Sequence, residues 1–283
     1  MTAITHPEKV LFPDDGITKG DLAGYYEAVA DVMVPHIRNR PVTLERFNAG
    51  IKGPRIFQKN VEKGFPAWLK RVQVKKKDGV VNHVLIADVR GLLWVSNQNS
   101  ITPHVWVSRA PKIMKPDLMV FDLDPSDDDP ARLRKGALTL RGLLEELGLE
   151  SWVKTSGSKG YHIAVPLDAK ADFGKVATFA HAVGKLLIER DPKNFTGEFY
   201  KKDREGKIFI DTGRNEYSAT FAATYAVRPR AGAPVSAPIT WDELKSGKFG
   251  PTSLTLANVP KRVGKLGDVW QELLETKQAL PSV

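Results

Sequence analysis

The chain has 283 residues, 42% of them apolar and 27% charged, and no cysteine. That length allows one large domain or two small ones, and the missing thiols exclude disulfides, thiolate metal sites and cysteine nucleophiles together. Lys and Arg number 42 against 33 Asp and Glu, a formal charge of +9, which suits a polyanionic partner such as nucleic acid or describes a merely basic surface. No apolar run is long enough to span a membrane, and MTAITHPEKV lacks an apolar signal core, so a cytoplasmic protein without a membrane partner is expected.

Along the chain, GITKGDLAGYYEAVADVMVPHI predicts a helix capped by Thr18, with Asp21 completing a capping box and Leu22, Tyr25, Tyr26, Val29, Met33 and Val34 at helical spacing. PVTLERF predicts a strand, VQVKKKDGVVNHVLIA a hairpin around Asp78-Gly79, DVRGLLWVSNQNS a short helix and ITPHVWVS a strand. The central strand is expected at 118–123. DDDPARLRKGALTLRGLLEELG follows as an amphipathic helix ending at Gly148. SWVKTS and YHIAVPL predict strands around the turn GSKG, ADFGKVATFAHAVGKLLIER a helix, KIFID a strand, and TYAVRPR a strand-like segment. From ITWDELKSG onward, short helices in irregular chain are expected. Helices and strands mix without strict alternation, so the fold class is α+β with mixed sheets. No Pro/Gly/Ser-rich linker divides the chain, so one continuous domain over 1–283 is expected.

In LMVFDLDPS, Asp122 and Asp124 stand two residues apart at the end of an apolar strand. Side chains alternate along a strand, so the two carboxylates share a face, with Cα atoms about 6.5–7 Å apart, while Phe121 and Leu123 face the core. Paired carboxylates repel unless a cation stands between them, and hard ions such as Mg²⁺ or Mn²⁺ suit oxygen ligands. Asp211 at the end of KIFID is a candidate third ligand for a two-metal site of the kind used in phosphoryl transfer. The alternative is open at both places: aspartates that merely open the following turn.

KTSGSKGYHI has the composition of a phosphate-holding loop. Gly157 and Gly160 would let backbone N–H groups approach an anion, Ser156 and Ser158 offer hydroxyls, and Lys159 and His162 offer polar heads. The spacing is not that of a P-loop, and a plain hairpin turn is the competing reading. Arg204, Arg214, Arg228 and Arg230 surround Asp211 in sequence, with Arg228 and Arg230 expected on one strand face. They are candidate phosphate forks or a solvated basic surface.

These stretches together resemble the polymerase domain of bacterial ATP-dependent DNA ligase D, a branch of the archaeo-eukaryotic primase superfamily. The resemblance runs from THPEKVLFPDDGITKGDLAGYYEAVADVMVPHIRNRPVTLERF through FQKN, PAW, HVWVSR, LMVFDLDPS and KTSGSKGYHI to AVRPRAGAPVSAPITWDEL. It implies a primase-type catalytic core and template-directed nucleotidyl transfer with Mn²⁺ or Mg²⁺, usually favouring ribonucleotides over deoxyribonucleotides. Asp122, Asp124 and Asp211 match the family's metal carboxylates. Ser156, Lys159 and His162 match its nucleotide-phosphate ligands, and His104 a histidine near the incoming nucleotide. Arg204, Arg214, Arg228 and Arg230 fall where it places active-site basic residues. Lys9 and Lys19 match two residues that hold the 5′-phosphate of gapped or recessed DNA, and Phe57 an aromatic that packs on template bases.

The sequence departs from the pattern at Ile56, where the family often has a second aromatic, and at Glu216-Tyr217, where a basic residue often follows Asn215. No ligase or nuclease domain accompanies the motifs, so joining would require a separate ATP-dependent ligase, with Ku as a possible partner and the bacterial nucleoid as the setting. Two other classes compete. A haloacid-dehalogenase-type phosphatase would use Asp122 as nucleophile and Asp124 as acid, but its motif usually opens the domain and leaves SGSKGYH and RPRAGAPVS unexplained. A DNA-binding module without catalysis would retain the basic surface alone.

Overall fold

The computed structural model describes residues 3–62, 64–76 and 79–281, which gather into two compact units. The first comprises the chain to Pro111 with 220–237 and 254–268; the second comprises 112–219, 238–253 and the C-terminal segment.

The first unit is built on an antiparallel sheet in the order Phe221–Ala222, Ser100–Val105, Pro41–Arg46, Gly79–Leu85, Arg71–Lys76, with Ile56–Gln58 also paired to Pro41–Arg46. The expected hairpin is present, with Lys76 opposite Gly79; Asp78 lies outside the described residues. The expected capping box is also present. Asp21 N–H donates to the Thr18 hydroxyl and Thr18 N–H to the Asp21 carboxylate. Its helix is shorter than the periodicity predicts. Ile17–Thr18 pairs with Val10–Phe12 as a strand, and Val29 (φ −104°, ψ 5°) divides the rest into Lys19–Ala28 and Ala30–Ile37. The buried stripe of Leu22, Tyr26, Val29, Met33 and Ile37 runs through this break unchanged, so nothing in the apolar pattern marks it. Asp88 caps the helix Val89–Asn97 by accepting from Gly91 N–H.

A correction falls on YAVRPR. Only Ala226–Val227 is strand, paired with Val235–Ser236. Pro229 has no N–H to continue a ladder, and Arg230 N–H folds back onto the Arg228 carbonyl at 2.8 Å. Arg228 and Arg230 therefore do not share a strand face.

The second unit holds a mixed sheet in the order Phe195–Thr196, Ile208–Asp211, Leu118–Pro125, Tyr161–Pro166, Trp152–Thr155, Pro238–Ile239, with the first pair parallel and the others antiparallel. The central strand reaches Pro125, past the expected 123, so both aspartates lie within it. Its alternate residues Phe121 and Leu123 are fully buried. The helix Pro130–Glu146 starts where Asp129 accepts from Ala131 and Arg132 N–H, with Pro130 needing no donor partner, and ends before Gly148 in the left-handed region (φ 74°). Asp172 caps the helix Phe173–Arg190 through Lys175 N–H. The short strand Pro238–Ile239 joins the sheet edge where irregular chain was expected.

Two histidines of the first unit, His36 and His83, are buried, and burial holds both below the ordinary imidazole value, against opposing bonds to Asp268 and the Val42 carbonyl respectively. The unfolded chain takes up these protons near pH about 6.5, the folded one only at lower pH. Their contribution to stability is therefore complete above that pH and declines as the pH falls below it. In thermal melts between pH about 7.5 and 5, His83→Gln should lose melting temperature less steeply on the acid side than the parent. Parallel curves would refute the assignment.

Candidate active site

Sheet register in the second unit builds a row of polar side chains. Asp211 sits directly opposite Asp122 on one side, His162 opposite Asp122 on the other, and Lys154 opposite His162 beyond it. Directly opposed residues of antiparallel strands share a face. One face thus carries Lys154, His162, Asp122 and Asp211 in line, with Asp124 one step along the same strand. His162 Nε2 lies 3.4 Å from Asp122 Oδ1. Lys154 is fully buried.

Two guanidinium groups meet the carboxylates. Arg214 Nη2 lies 2.9 Å from Asp211 Oδ2 and its Nε 3.5 Å from Asp122 Oδ2. Arg204 donates to Asp124 Oδ2 at 2.9 Å, to the carbonyls of Glu198 and Phe199, and stacks over Phe209 at 4.4 Å. Burial pushes the Asp211 carboxyl above its ordinary value, Arg214 opposes this, and Asp122 and Asp124 reinforce it. Among the described residues no three His, Asp or Glu side chains stand gathered as a ready ligand set, and arginines meet the oxygens of Asp124 and Asp211. The donor chemistry still fits hard divalent cations: three carboxylates stand on one sheet face, one of them raised by burial and further by the other two, with guanidinium groups already against them.

The SGSKG loop differs from its expected form. Gly157 N–H donates to the Pro251 carbonyl, and the N–H groups of Ser158 and Gly160 donate to the Ser156 hydroxyl. The glycine amides are thus turned inward rather than toward an anion. Glycine is required at 160 for another reason: a Cβ there would lie 1.6 Å from the Leu123 carbonyl oxygen, between Asp122 and Asp124. Lys159 is exposed and lines a cavity of about 290 Å³ with Ser158, Lys201, Asp127 to Asp129 and Pro251. A larger cavity of about 640 Å³, beside Asp168, Lys175 and Phe179, contains none of the candidate residues.

The remaining candidates belong to the first unit. His104 Nε2 lies 2.9 Å from Glu45 Oε2, Arg55 Nη1 lies 3.7 Å from Glu45 Oε1, and the exposed Phe57 ring packs edge-on to His104 at 5.7 Å with Arg55 over it at 5.0 Å. Burial works to raise the Glu45 carboxyl, but His104, Arg228 and Thr102 together hold it below the ordinary glutamate value. Arg228 is placed by its neighbour Val227, whose carbonyl accepts from Thr102 and whose N–H donates to Tyr26. Arg230 is exposed. Lys19 N–H donates to the Lys9 carbonyl, so the two lysines are neighbours. The Lys19 ammonium reaches the Thr5 carbonyl at 2.6 Å, and burial and then Lys9 lower its pKa.

A family model, LigD, primase-polymerase domain, matches residues 18–270. The chain belongs to this family. It is a nucleotidyltransferase domain of a metal-dependent family, and the phosphatase alternative falls away. The "Multifunctional non-homologous end joining protein LigD" of Mycolicibacterium smegmatis is 35% identical over 94% of this chain and 35% of its own length. The "Bifunctional non-homologous end joining protein LigD" of Bacillus subtilis is 30% identical over 93% of this chain and 42% of its own. This LigD-type chain therefore spans about a third of the length of its mycobacterial relative. The polymerase domain of Mycobacterium tuberculosis ligase D, solved in complex with DNA, matches at a TM-score of 0.92 and 33% identity, covering 98% of this chain and 99% of that one.

Of the departures from the LigD pattern, Glu216 pairs with His181 at 3.1 Å and Tyr217 packs edge-on to Phe173 at 5.5 Å. Sequence reasoning passed over Glu45, Lys154 and Asn215. Each is a polar residue that the fold buries, and the signal available was weak: a charged side chain inside a strand for Glu45 and Lys154, and for Asn215 only an amide in the turn after Asp211.

Gly160→Ala should force the loop or the aspartate strand to shift, at a cost of about 1–3 kcal/mol. We expect a lower melting temperature together with a disproportionate loss of nucleotidyl transfer. A variant melting and turning over like the parent would show that this close approach is not needed.

Proposed function

We propose that this domain fills short gaps in DNA by template-directed nucleotidyl transfer, preferring ribonucleotides, during repair of broken or excised strands. The observation that carries this reading is the line of His162, Asp122 and Asp211 across three paired strands, with Asp124 on the same face. Asp122, Asp124 and Asp211 would hold a pair of Mn²⁺ or Mg²⁺ ions. When bound, such ions supply charge to the α-phosphate and lower the pKa of a primer 3′-hydroxyl. The primer 3′-oxygen, its proton lost to solvent, would form its bond to the α-phosphorus as the bond to the pyrophosphate oxygen breaks and pyrophosphate leaves.

The chain's own residues bind and orient. Lys159 and Ser156 are assigned to the nucleotide phosphates, and His162, held against Asp122, to the same group. Arg204 and Arg214 balance the carboxylates and are assigned, with the resemblance, to the nucleotide. In the first unit, His104, Arg228 and Arg230 keep the nucleotide-binding role the resemblance gives them. Phe57 is suited to stacking on a template base without reading its identity, because every base offers a π-face. Lys9 and Lys19 are assigned to a 5′-phosphate: burial first and then Lys9 lower the Lys19 pKa, and an anion beside both lysines would offset each of these costs. The names of the relatives point to end joining as the setting. An ATP-dependent ligase would seal the product, and Ku is a candidate partner at the break. No described helix is long and apolar enough to cross a membrane; the bacterial nucleoid is the setting the resemblance implies.

The test is extension of a labelled primer across a short gap with a downstream 5′-phosphate, in Mn²⁺, with NTPs compared against dNTPs. Templated addition favouring NTPs is expected, and Asp122→Ala should lower it by about a thousandfold while sparing DNA binding. A folded, DNA-binding parent that adds nothing would leave a binding module. Lys19→Glu should weaken binding by about tenfold on gaps carrying the 5′-phosphate and far less on unphosphorylated ones. Equal weakening on both would remove the lysines from that role.

A further inference from the structure

The strand Ile208–Asp211 leaves the sheet at the residue that carries the third carboxylate. Had it continued, residue 213 would have faced Val120, whose N–H and carbonyl point to that side as those of Asp122 and Asp124 do. Instead the chain turns through Gly213–Asn215, and the Asn215 side chain takes the missing strand's place. Its Oδ1 accepts from Val120 N–H at 2.8 Å, and its Nδ2 donates to the Val120 carbonyl at 2.8 Å and to the Thr212 carbonyl at 2.9 Å. The amide is fully buried and both its N–H bonds are used. A second bracket closes the turn from the helix Phe173–Arg190. His181 Nδ1 lies 2.6 Å from the Thr212 hydroxyl, and its Nε2 lies 3.1 Å from Glu216.

The turn so pinned holds both oxygens of Asp211. Gly213 N–H donates to Oδ1 at 2.9 Å, and Arg214 meets Oδ2 at 2.9 Å. We infer that Asn215, with the His181 bracket, is a positioning residue: it ends the strand after Asp211 and sets the orientation of that carboxylate beside Asp122. This rests on the proposal that Asp122 and Asp211 hold divalent metal.

The test is Mn²⁺ binding by the whole chain without nucleotide, followed by electron paramagnetic resonance of the free ion, alongside kcat, KM for NTP, thermal melting and binding to 5′-phosphorylated gapped DNA. Asn215→Ala is expected to raise the half-saturating Mn²⁺ concentration by about tenfold and to lower kcat, with recovery of kcat at high Mn²⁺, because buried hydrogen bonds to the turn are lost. KM for NTP and gapped-DNA binding should stay near the parent's. A folded Asn215→Ala with the parent's Mn²⁺ midpoint overturns the inference. If that variant does not fold, His181→Ala, at a half-exposed position, decides: a shift of about threefold in the same direction is expected, and an unchanged midpoint overturns it. Asp122→Ala and Asp211→Asn separate the two levels. Parent-like Mn²⁺ binding in both would remove the metal reading itself, whereas loss in both with no shift in the Asn215 and His181 variants would remove only the positioning role.

Discussion

Three carboxylates share one face of one sheet, and the electrostatic cost of keeping them there governs the second unit. The crowding comes from strand register, not from a flexible loop. Asp122 and Asp124 are two residues apart on a strand whose alternate residues, Phe121 and Leu123, are fully buried, and Asp211 is brought opposite Asp122 by pairing. A slip of one residue would turn both aspartates into the core and both apolar side chains out of it, so hydrophobic burial enforces the charge arrangement. The sheet cannot relax the repulsion by moving. What remains is neutralisation, by the guanidinium groups of Arg204 and Arg214 or by divalent cations.

The first unit meets the same problem at a single residue. Glu45 is a single buried carboxylate that His104, Arg55 and Arg228 surround. One fixed negative charge thus orients a histidine and draws two arginines, and the Phe57 ring packs against the same histidine. Lys9 and Lys19 go the other way. Joined through a backbone hydrogen bond, they concentrate positive charge at the start of a capped helix, and Lys19 is already displaced toward its neutral form by burial and by Lys9. Groups held at such a cost are those that gain most from an anionic ligand.

What the sequence made legible follows the range of the interactions. Period-two alternation is local, so the common face of Asp122 and Asp124 could be read directly. The caps at Thr18 and Gly148 could be read for the same reason. Asp211 could be named but its position opposite Asp122 could not, because register between residues 89 apart in sequence leaves no local trace. Arg228 and Arg230 were misread as sharing a strand face because the alternation was extended through Pro229, which cannot continue a ladder. The division at Val29 had no signal, since the apolar stripe passes through it. Glu45, Lys154 and Asn215 read in the sequence only as ordinary polar residues, because nothing local marks the burial that the fold gives them.

The inward turn of the Gly157 and Gly160 amides changes how the loop between Thr155 and Tyr161 has to work. A loop that presents its backbone N–H groups binds phosphate through fixed dipoles. This one spends those donors on Pro251 and on the Ser156 hydroxyl, and so holds its own shape. Contact with an anion is then left to side chains, above all the exposed Lys159, a flexible point charge rather than a fork. Precision must come from elsewhere, and the closest constraint is Gly160, whose Cα lies so near the Leu123 carbonyl that no side chain fits between them. That approach ties the base of the loop to the strand carrying Asp122 and Asp124. The separation between the lysine's anchor and the carboxylates is thereby set by backbone packing, leaving only the last few bonds of Lys159 free to adapt to a phosphate chain as it is divided.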